Sequence, residues 1–251
     1  MTALSPMLAS VGTDVPAGTD WVFEPKYDGI RVLAFVVGGT TGKVALLSRN
    51  GIDKAKQFPE IVDGLRTMYR RVKRPLVLDG EIVAMRGNSP LRFQELQGRM
   101  HTTNRTAIES HRSAAPTALF AFDVLLDGKH SLVAEPWRVR RKHLAALLPA
   151  AARTGTIRLS DTGDDGDKML RDARRHGWEG IIAKRRDAEY SVGRRSSAWL
   201  KLKLERRQEF VVGGWTDPRN SREHLGALLL GYYDKGKLIY AGHTGTGFDR
   251  T

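Results

Sequence analysis

The chain has 251 residues, 41% of them hydrophobic, enough to bury a substantial core in one large domain or one domain plus a fragment. Lys and Arg number 41 against 28 Asp and Glu, and the resulting net charge of +13 points to a polyanionic partner, nucleic acid ahead of an anionic membrane. Cysteine is absent, which excludes disulfides, thiolate metal sites and thiol nucleophiles.

The N-terminal MTALSPMLASVGTDVPAG lacks the basic start and sustained apolar core of a signal peptide, and no apolar run is long enough to span a membrane. A soluble, cytoplasmic protein is expected. The first unusual stretch is EPKYDGIRV, residues 24–32. Pro25 fixes the backbone before Lys26, Asp28-Gly29 make a turn, and Arg31 lies on the apolar strand that follows. A lysine amine becomes a nucleophile only where nearby positive charge or desolvation favours its neutral form, and Arg31 is one source of such charge.

Further strands are expected at 31–37, 43–48 and 76–84, with a helix over 58–72 that has Pro near its start and arginines in its last turn. In LVLDGEIVA (76–84), Asp79 and Glu81 fall on one face by the two-residue period of a strand, with Leu78 and Ile82 on the other. Carboxylates inside an apolar strand need partners, either a ligand hydroxyl, a cation or a metal. LFAFDVLLDG (119–128) reads as a core strand in which Asp123 is the odd residue, and its phenylalanines offer a stacking face if the strand borders a nucleotide pocket. Helices are expected at 135–148 and 164–177, and strands at 180–185 and 198–203.

GWEGIIAKR sets Glu179 at the mouth of an apolar strand, where a carboxylate can hold a divalent cation. WLKLK (199–203) places Lys201 and Lys203 on one face, two like charges whose repulsion a phosphate between them offsets. Between Arg171 and Arg207, twelve Lys and Arg stand against five Asp and Glu, so +7 of the total charge lies in this stretch. The glycine-rich GGTTGK (38–43) lacks the pattern of a P-loop, and TGTG (244–247) follows no dinucleotide-binding unit. The mixture of elements is α+β with antiparallel sheets. Beyond residue 206 the texture changes to strands and turns, resembling the start of a small β-barrel with too few residues to close.

Taken in order, KYDG (26–29), SRNG (48–51), DGE (79–81), FDVLLDG (122–128), EGIIAK (179–184) and WLKLK resemble the collinear motifs of the covalent nucleotidyltransferases. That group comprises ATP-dependent DNA ligases, RNA ligases and mRNA capping enzymes. PMLAS (6–10), SRNG and the C-terminal FVVGGW, GALLLGYYD and YAGHTGTGF resemble in particular the ligase module of bacterial ligase D, of non-homologous end joining.

The resemblance implies a nucleotidyltransferase fold, the ATP-grasp-like adenylation domain of ligases, over residues 1–205. The first part of an incomplete OB-fold barrel would occupy 206–251. It implies that Lys26 attacks the α-phosphate of ATP to give a lysyl-AMP adduct. Arg31 and Glu81 would contact the ribose, Glu24 the adenine edge, and Phe122 would stack on the base. Glu179, helped by Asp28, would hold Mg2+ or Mn2+, while Lys201 and Lys203 grip the α-phosphate and Arg49 binds the 5′-phosphate of a nick. Nicked duplex DNA is the implied partner, with Ku and a repair polymerase module as further candidates and a nucleoid setting in a bacterial cytoplasm. The family's last basic motif, which orients the departing pyrophosphate, has no counterpart before Thr251, so weak self-adenylation and weak sealing are expected. An RNA ligase, a capping-type enzyme using GTP and a silent clamp on duplex DNA are the alternatives.

Overall fold

The structure is a computed structural model that describes residues 4–38, 42–100, 102–148, 155–204, 209–217 and 226–245. The chain divides into two units, Met1–Leu204 and Glu205–Thr251. In the first unit, strands β1 (Leu8–Val11), β2 (Trp21–Lys26), β3 (Ile30–Val37) and β4 (Lys43–Ser48) precede helix α1 (Pro59–Val72). Strand β5 (Leu76–Arg86), the short β6 (Ser89–Pro90), helices α2 (Gln97–Met100) and α3 (Arg105–Ala114), strand β7 (Thr117–Asp127) and the short β8 (His130–Ser131) follow. Helix α4 (Trp137–Leu147), β9 (Ile157–Leu159), α5 (Gly166–His176), β10 (Gly180–Arg185) and β11 (Arg195–Lys203) complete it.

These strands form two sheets. The smaller has the order β1-β11-β10-β2, and the larger runs β4-β3-β5-β7-β8 with β6 and β9 attached. Alternation along the strands sorts residues between their faces. On the larger sheet, Val32, Ala34, Leu78, Ile82 and Ala121 join Ile61 and Leu65 of α1 and Leu144 of α4 in the main core. Leu33, Val77 and Leu125 point the other way and pack with Met7, Tyr190 and Trp199, so the two sheets lie face to face. The outer face of the smaller sheet, with Phe23, Ile181, Ala183 and Leu202, is covered by Met169 and Ala173 of α5. The order is therefore helices, sheet, sheet, helix.

Helix α5 ends as its sequence requires. The Asp165 side chain accepts from the Lys168 N–H at its start, and Gly177 takes a left-handed φ of 70° at its end. The expected all-antiparallel sheets need one correction, because β1 runs parallel to β11 and β9 parallel to β7. Both are short strands separated in sequence from their partners by long connections, and only such connections let parallel neighbours meet. Helix α3 had no sequence-level counterpart. Ile108 is its only buried residue, so it offers little apolar sequence from which to read a helix.

The second unit, described by itself, is an antiparallel meander of β12 (Val211–Thr216), β13 (Ala227–Asp234) and β14 (Lys237–Thr244). The β13–β14 hairpin turns at Lys235 and Gly236, with φ of 47° and 79°, the paired positive values of a tight two-residue turn. Among the described residues it is a three-stranded sheet and not a closed barrel. Residues 39–41 of the GGTTGK run and 246–247 of TGTG lie outside the described residues. No helix among the described residues is long and apolar enough to cross a membrane.

Candidate active site

Register on the smaller sheet determines what its inner face presents. Lys26 pairs with Gly180, Glu24 with Ile182 and Val22 with Lys184 across β2 and β10. Gly180, Ile182 and Lys184 pair in turn with Lys203, Lys201 and Trp199 of β11. Cross-strand partners share a face, so Glu24, Lys26, Lys184, Trp199, Lys201 and Lys203 all project toward the larger sheet. Lys26 is the last residue of β2 and therefore sits at a strand end, with the Asp28-Gly29 turn just beyond it. Pro25 is compatible with this strand because β2 is an edge and needs no donor on its open side. Gly180 has φ of 152°, and a Cβ there would lie 2.1 Å from the Leu202 carbonyl oxygen, so only glycine lets β10 and β11 close at this point.

The larger sheet supplies the opposite wall. Arg31 of β3 pairs with Glu81 of β5. A Cβ on Gly29 would lie 2.2 Å from the Ile82 carbonyl oxygen, so that glycine lets the turn after Lys26 lie directly against β5. Between β5 and β7 the register steps from Asp79–Asp123 to Gly80–Ala121, which leaves Phe122 as the extra residue of a bulge. Bulges re-aim side chains, and the Phe122 ring lines a pocket of about 320 Å3 enclosed by the two sheets. The same pocket is lined by Glu24, Lys26, Asp28, Arg31, Arg49, Glu81, Glu179, Lys201 and Lys203. All ten residues given a site role by the resemblance thus line one cavity.

Their charges are unevenly matched. Glu179 stands just before β10, where its N–H donates to the Lys26 carbonyl at 3.2 Å and its own carbonyl accepts from the Leu204 N–H at 3.0 Å. Its carboxylate forms ion pairs with Lys26 and, at 2.9 Å, with Lys203. Burial raises the Glu179 carboxyl, but hydrogen bonds from Lys203 and Lys26 outweigh it and hold the group below the usual range. The Glu179 hydrogen bond in turn raises Lys203. Lys201 is lowered, by desolvation and then by the positive charges of Arg195, Lys203 and Lys26. Burial lifts Glu81 to about 8 against the pull of Arg31 and Lys26, so this carboxyl keeps its proton at neutral pH.

Arg31 forms a two-point pair with Asp79, at 3.0 and 2.6 Å, and Asp79 also accepts from the Tyr190 hydroxyl at 2.5 Å. The partner that Asp79 needs is therefore protein. Asp79 matches the Arg31 charge, much as Glu179 matches Lys203. Asp123 is likewise paired, to buried Arg140 at 2.8 and 2.9 Å. Asp28 accepts from the Phe93 N–H at 3.3 Å, which orients the turn after Lys26.

Three pocket residues, Lys184, Trp199 and Arg195, were not picked out from the sequence as site residues. The signal for Lys184 was a lysine in an otherwise apolar strand, the same oddity that marked Asp123. The site also bears on a divalent cation. Among the described residues no group of three or more His, Cys, Asp or Glu could hold one. Glu179 and Asp28 both line the cavity and offer hard carboxylate oxygens, which fits an ion that completes its shell from substrate oxygens and water.

The model of the ATP dependent DNA ligase domain matches residues 6–203. The multifunctional non-homologous end joining DNA repair protein LigD of Mycobacterium tuberculosis is 37% identical over 248 residues, covering 97% of this chain and 30% of that protein. DNA ligase C1 of Mycolicibacterium smegmatis is 36% identical over 245 residues, covering 95% of this chain and 67% of the relative. Among solved structures, the ligase domain from M. tuberculosis LigD matches with a TM-score of 0.65 at 34% identity, covering 98% of this chain and 74% of that one. A mycobacterial DNA ligase D complexed with ATP and MES gives a TM-score of 0.66 at 34% identity, covering 98% and 73%. The chain spans 30% of the length of the LigD protein it matches.

Proposed function

This chain belongs to the ATP-dependent DNA ligase family, and from that premise we propose that its pocket joins AMP to Lys26 and passes it on to nicked DNA. The observation that carries this reading is the Lys26 amine at the base of the cavity, held by Glu179 and flanked by Lys201 and Lys203. ATP is assigned as the substrate because the family is ATP-dependent and a related ligase was solved with ATP bound.

Lys26 Nζ, once it has lost a proton, attacks the α-phosphorus. A P–N bond forms, the bond to the β-phosphate oxygen breaks, and pyrophosphate leaves. Phosphoryl-type transfer depends mainly on position and charge neutralisation. Lys201 and Lys203 provide both, gripping the α-phosphate from one strand face. Glu179 fixes the amine through its side chain and the backbone through its N–H. Glu24 meets the base edge, Phe122 its face, and Arg31 with protonated Glu81 meets the ribose. Glu179, with Asp28, would hold the divalent cation, Mg2+ or Mn2+, which when bound neutralises phosphate charge.

Arg49, on the turn after β4, takes the 5′-phosphate of the nick. AMP moves to that phosphate, and the 3′-hydroxyl then displaces it to seal the strand. Sequence-independent, salt-dependent contacts from the basic surface fit such a substrate. The setting we assign is double-strand break repair on chromosomal DNA in a bacterial cytoplasm, with Ku and a repair polymerase module as partners. Residues 1–205 form the adenylation domain in this reading, and 206–251 contribute strands of an OB-fold.

The test is incubation with α-labelled ATP and a divalent cation, followed by mass spectrometry. A gain of one AMP on Lys26, absent from Lys26→Ala, is expected. No label on the wild-type chain under any divalent cation, with DNA still bound, would favour a silent clamp on duplex DNA and overturn the proposal.

A further inference from the structure

We propose that the Tyr190 hydroxyl positions Arg31 for the ribose hydroxyls of the bound nucleotide, acting through Asp79. This role rests on the nucleotide pocket assigned above and adds to it a residue from behind its wall.

Arg31 of β3 pairs with Asp79 of β5 through Nε and Nη2, at 3.0 and 2.6 Å. A two-point pair fixes the plane of the guanidinium as well as its position. The pair does not use Nη1, and Arg31 lines the cavity, so the nitrogen that remains can donate to a ligand. Where Nη1 points then depends on how firmly Asp79 is held.

Asp79 is fully buried, and Tyr190 holds it. The Tyr190 hydroxyl donates to Asp79 Oδ2 at 2.5 Å and accepts from Arg31 Nη2 at 3.5 Å and from the Met7 N–H at 3.0 Å. One donor and two acceptor positions are all that a phenol offers, so its capacity is filled. Burial, and then the Asp79 charge, raise this hydroxyl well above its ordinary value, so it keeps its proton and donates. The bond to Met7 ties the segment before β1, whose Leu8 and Ala9 line the cavity, to the same point.

Tyr190 is itself well anchored. Its N–H donates to the Val133 carbonyl at 2.9 Å, and its ring lies edge-on to Trp199 at 5.7 Å and 5.6 Å from the Arg140 guanidinium. Arg31 in turn lies 5.4 Å from the Phe122 ring and 5.5 Å from that of Trp199, within cation–π range of both. Tyr190 is 2% exposed and stands outside the residues that line the cavity, so it is a positioning residue.

The experiment measures dissociation constants of ATP and its 2′,3′-dideoxy analogue without divalent cation, so that no covalent step intervenes. The proteins are the wild type, Tyr190→Phe, Arg31→Met, the Y190F/R31M double variant and Asp79→Asn, with melting curves to identify those that are folded. The wild type is expected to prefer ATP by roughly tenfold to a hundredfold, the worth of a charge-assisted hydrogen bond. Y190F keeps the ring and should cut that ratio by roughly threefold to tenfold, with the analogue bound as before. R31M should abolish the preference, and adding Y190F to it should change nothing further. If Y190F does not fold, D79N decides: one carbonyl oxygen cannot serve both Arg31 and Tyr190, and the ratio should narrow. An equal loss for both nucleotides in Y190F, or an unchanged ratio in whichever variant decides, overturns the role of Tyr190 and leaves the nucleotide pocket intact. Equal wild-type binding of the two nucleotides overturns it as well, and binding of neither overturns the pocket assignment along with it.

Discussion

The first unit buries charged groups in two kinds of place, and the difference lies in whether their hydrogen bonds close. At the α1–α2 contact, Arg99 is fully buried and donates twice to the Gln57 carbonyl and twice to Glu60, whose carboxylate also accepts from Thr117. Arg140 does the same for Asp123 and adds the carbonyls of Glu135 and Ala188. Every guanidinium nitrogen there donates to a protein acceptor. In the pocket, by contrast, Glu24 keeps an open oxygen, Glu81 keeps a proton, and Lys201 faces three cations. Burial of charge therefore does not mark function here. Within the pocket the charges are incompletely matched, and an open group there is what a ligand can complete.

Breaking a closed network should produce the largest change in stability. Arg99→Met leaves the Glu60 carboxylate with the Thr117 hydroxyl but no cation, and strips the Gln57 carbonyl of its Arg99 donors; removal of one partner from a buried pair costs about 3–5 kcal/mol. Urea denaturation should record that loss, while the folded fraction binds ATP as the wild type does. A loss under about 1 kcal/mol, or a loss of nucleotide affinity without a loss of stability, would erase the distinction between the two kinds of site.

The same distinction explains what could be read from the sequence. Alternation along WLKLK put Lys201 and Lys203 on one face, and their pairing with Ile182 and Gly180 keeps them there. Strands 43–48 and 180–185 have the observed bounds, because each is a short apolar run between turn residues. The separate fates of Asp79 and Glu81 were not legible, although both share a strand face. Asp79 is completed by Arg31 and by Tyr190, which lies 111 positions along the chain. Nothing near Glu81 in sequence shows that it lacks such a partner. Asp123 stood out as a charge in an apolar strand and Lys184, which was passed over, carries the same signal, yet one is closed by a helix arginine and the other borders the pocket. Local pattern finds the odd charge. Only tertiary contacts tell whether it is finished.

Within the pocket, Lys201→Met should move function and leave stability intact, the reverse of Arg99→Met. Desolvation and the positive charges of Arg195, Lys203 and Lys26 already disfavour the Lys201 ammonium, so removing it relieves repulsion in the empty site. In the proposed nucleotide complex the same residue would supply a charge-assisted hydrogen bond to phosphate, worth about 1.5–3 kcal/mol. Affinity for ATP is therefore expected to fall by roughly tenfold to a hundredfold, with adenosine binding unaffected and the melting temperature unchanged or slightly higher. Calorimetric titration of ATP and adenosine separates these outcomes. An equal loss for both ligands would show that Lys201 supports the wall of the pocket and not the phosphate.

The smallest effect should come from Glu81, and it is a pH dependence. Its carboxyl ionises near 8 in the folded protein, against an ordinary value of 4.5, because burial penalises the charge more than Arg31 and Lys26 favour it. Between these two values the folded chain holds a proton that the unfolded chain has released. Stability from this group is thus fully present below about pH 4.5, declines as pH rises, and levels off above about 8. Glu81→Gln has no such proton to lose. Its stability relative to the wild type should rise across that window and reach an advantage of about 1 kcal/mol at pH 9, well under the full linkage value because the group is only half-buried. Melting curves at pH 5, 7 and 9 would measure it. A constant gap between the two proteins would mean that Glu81 is ionised in the fold. A widening gap would place it with Glu24, as a group that the protein leaves open and a ribose hydroxyl completes.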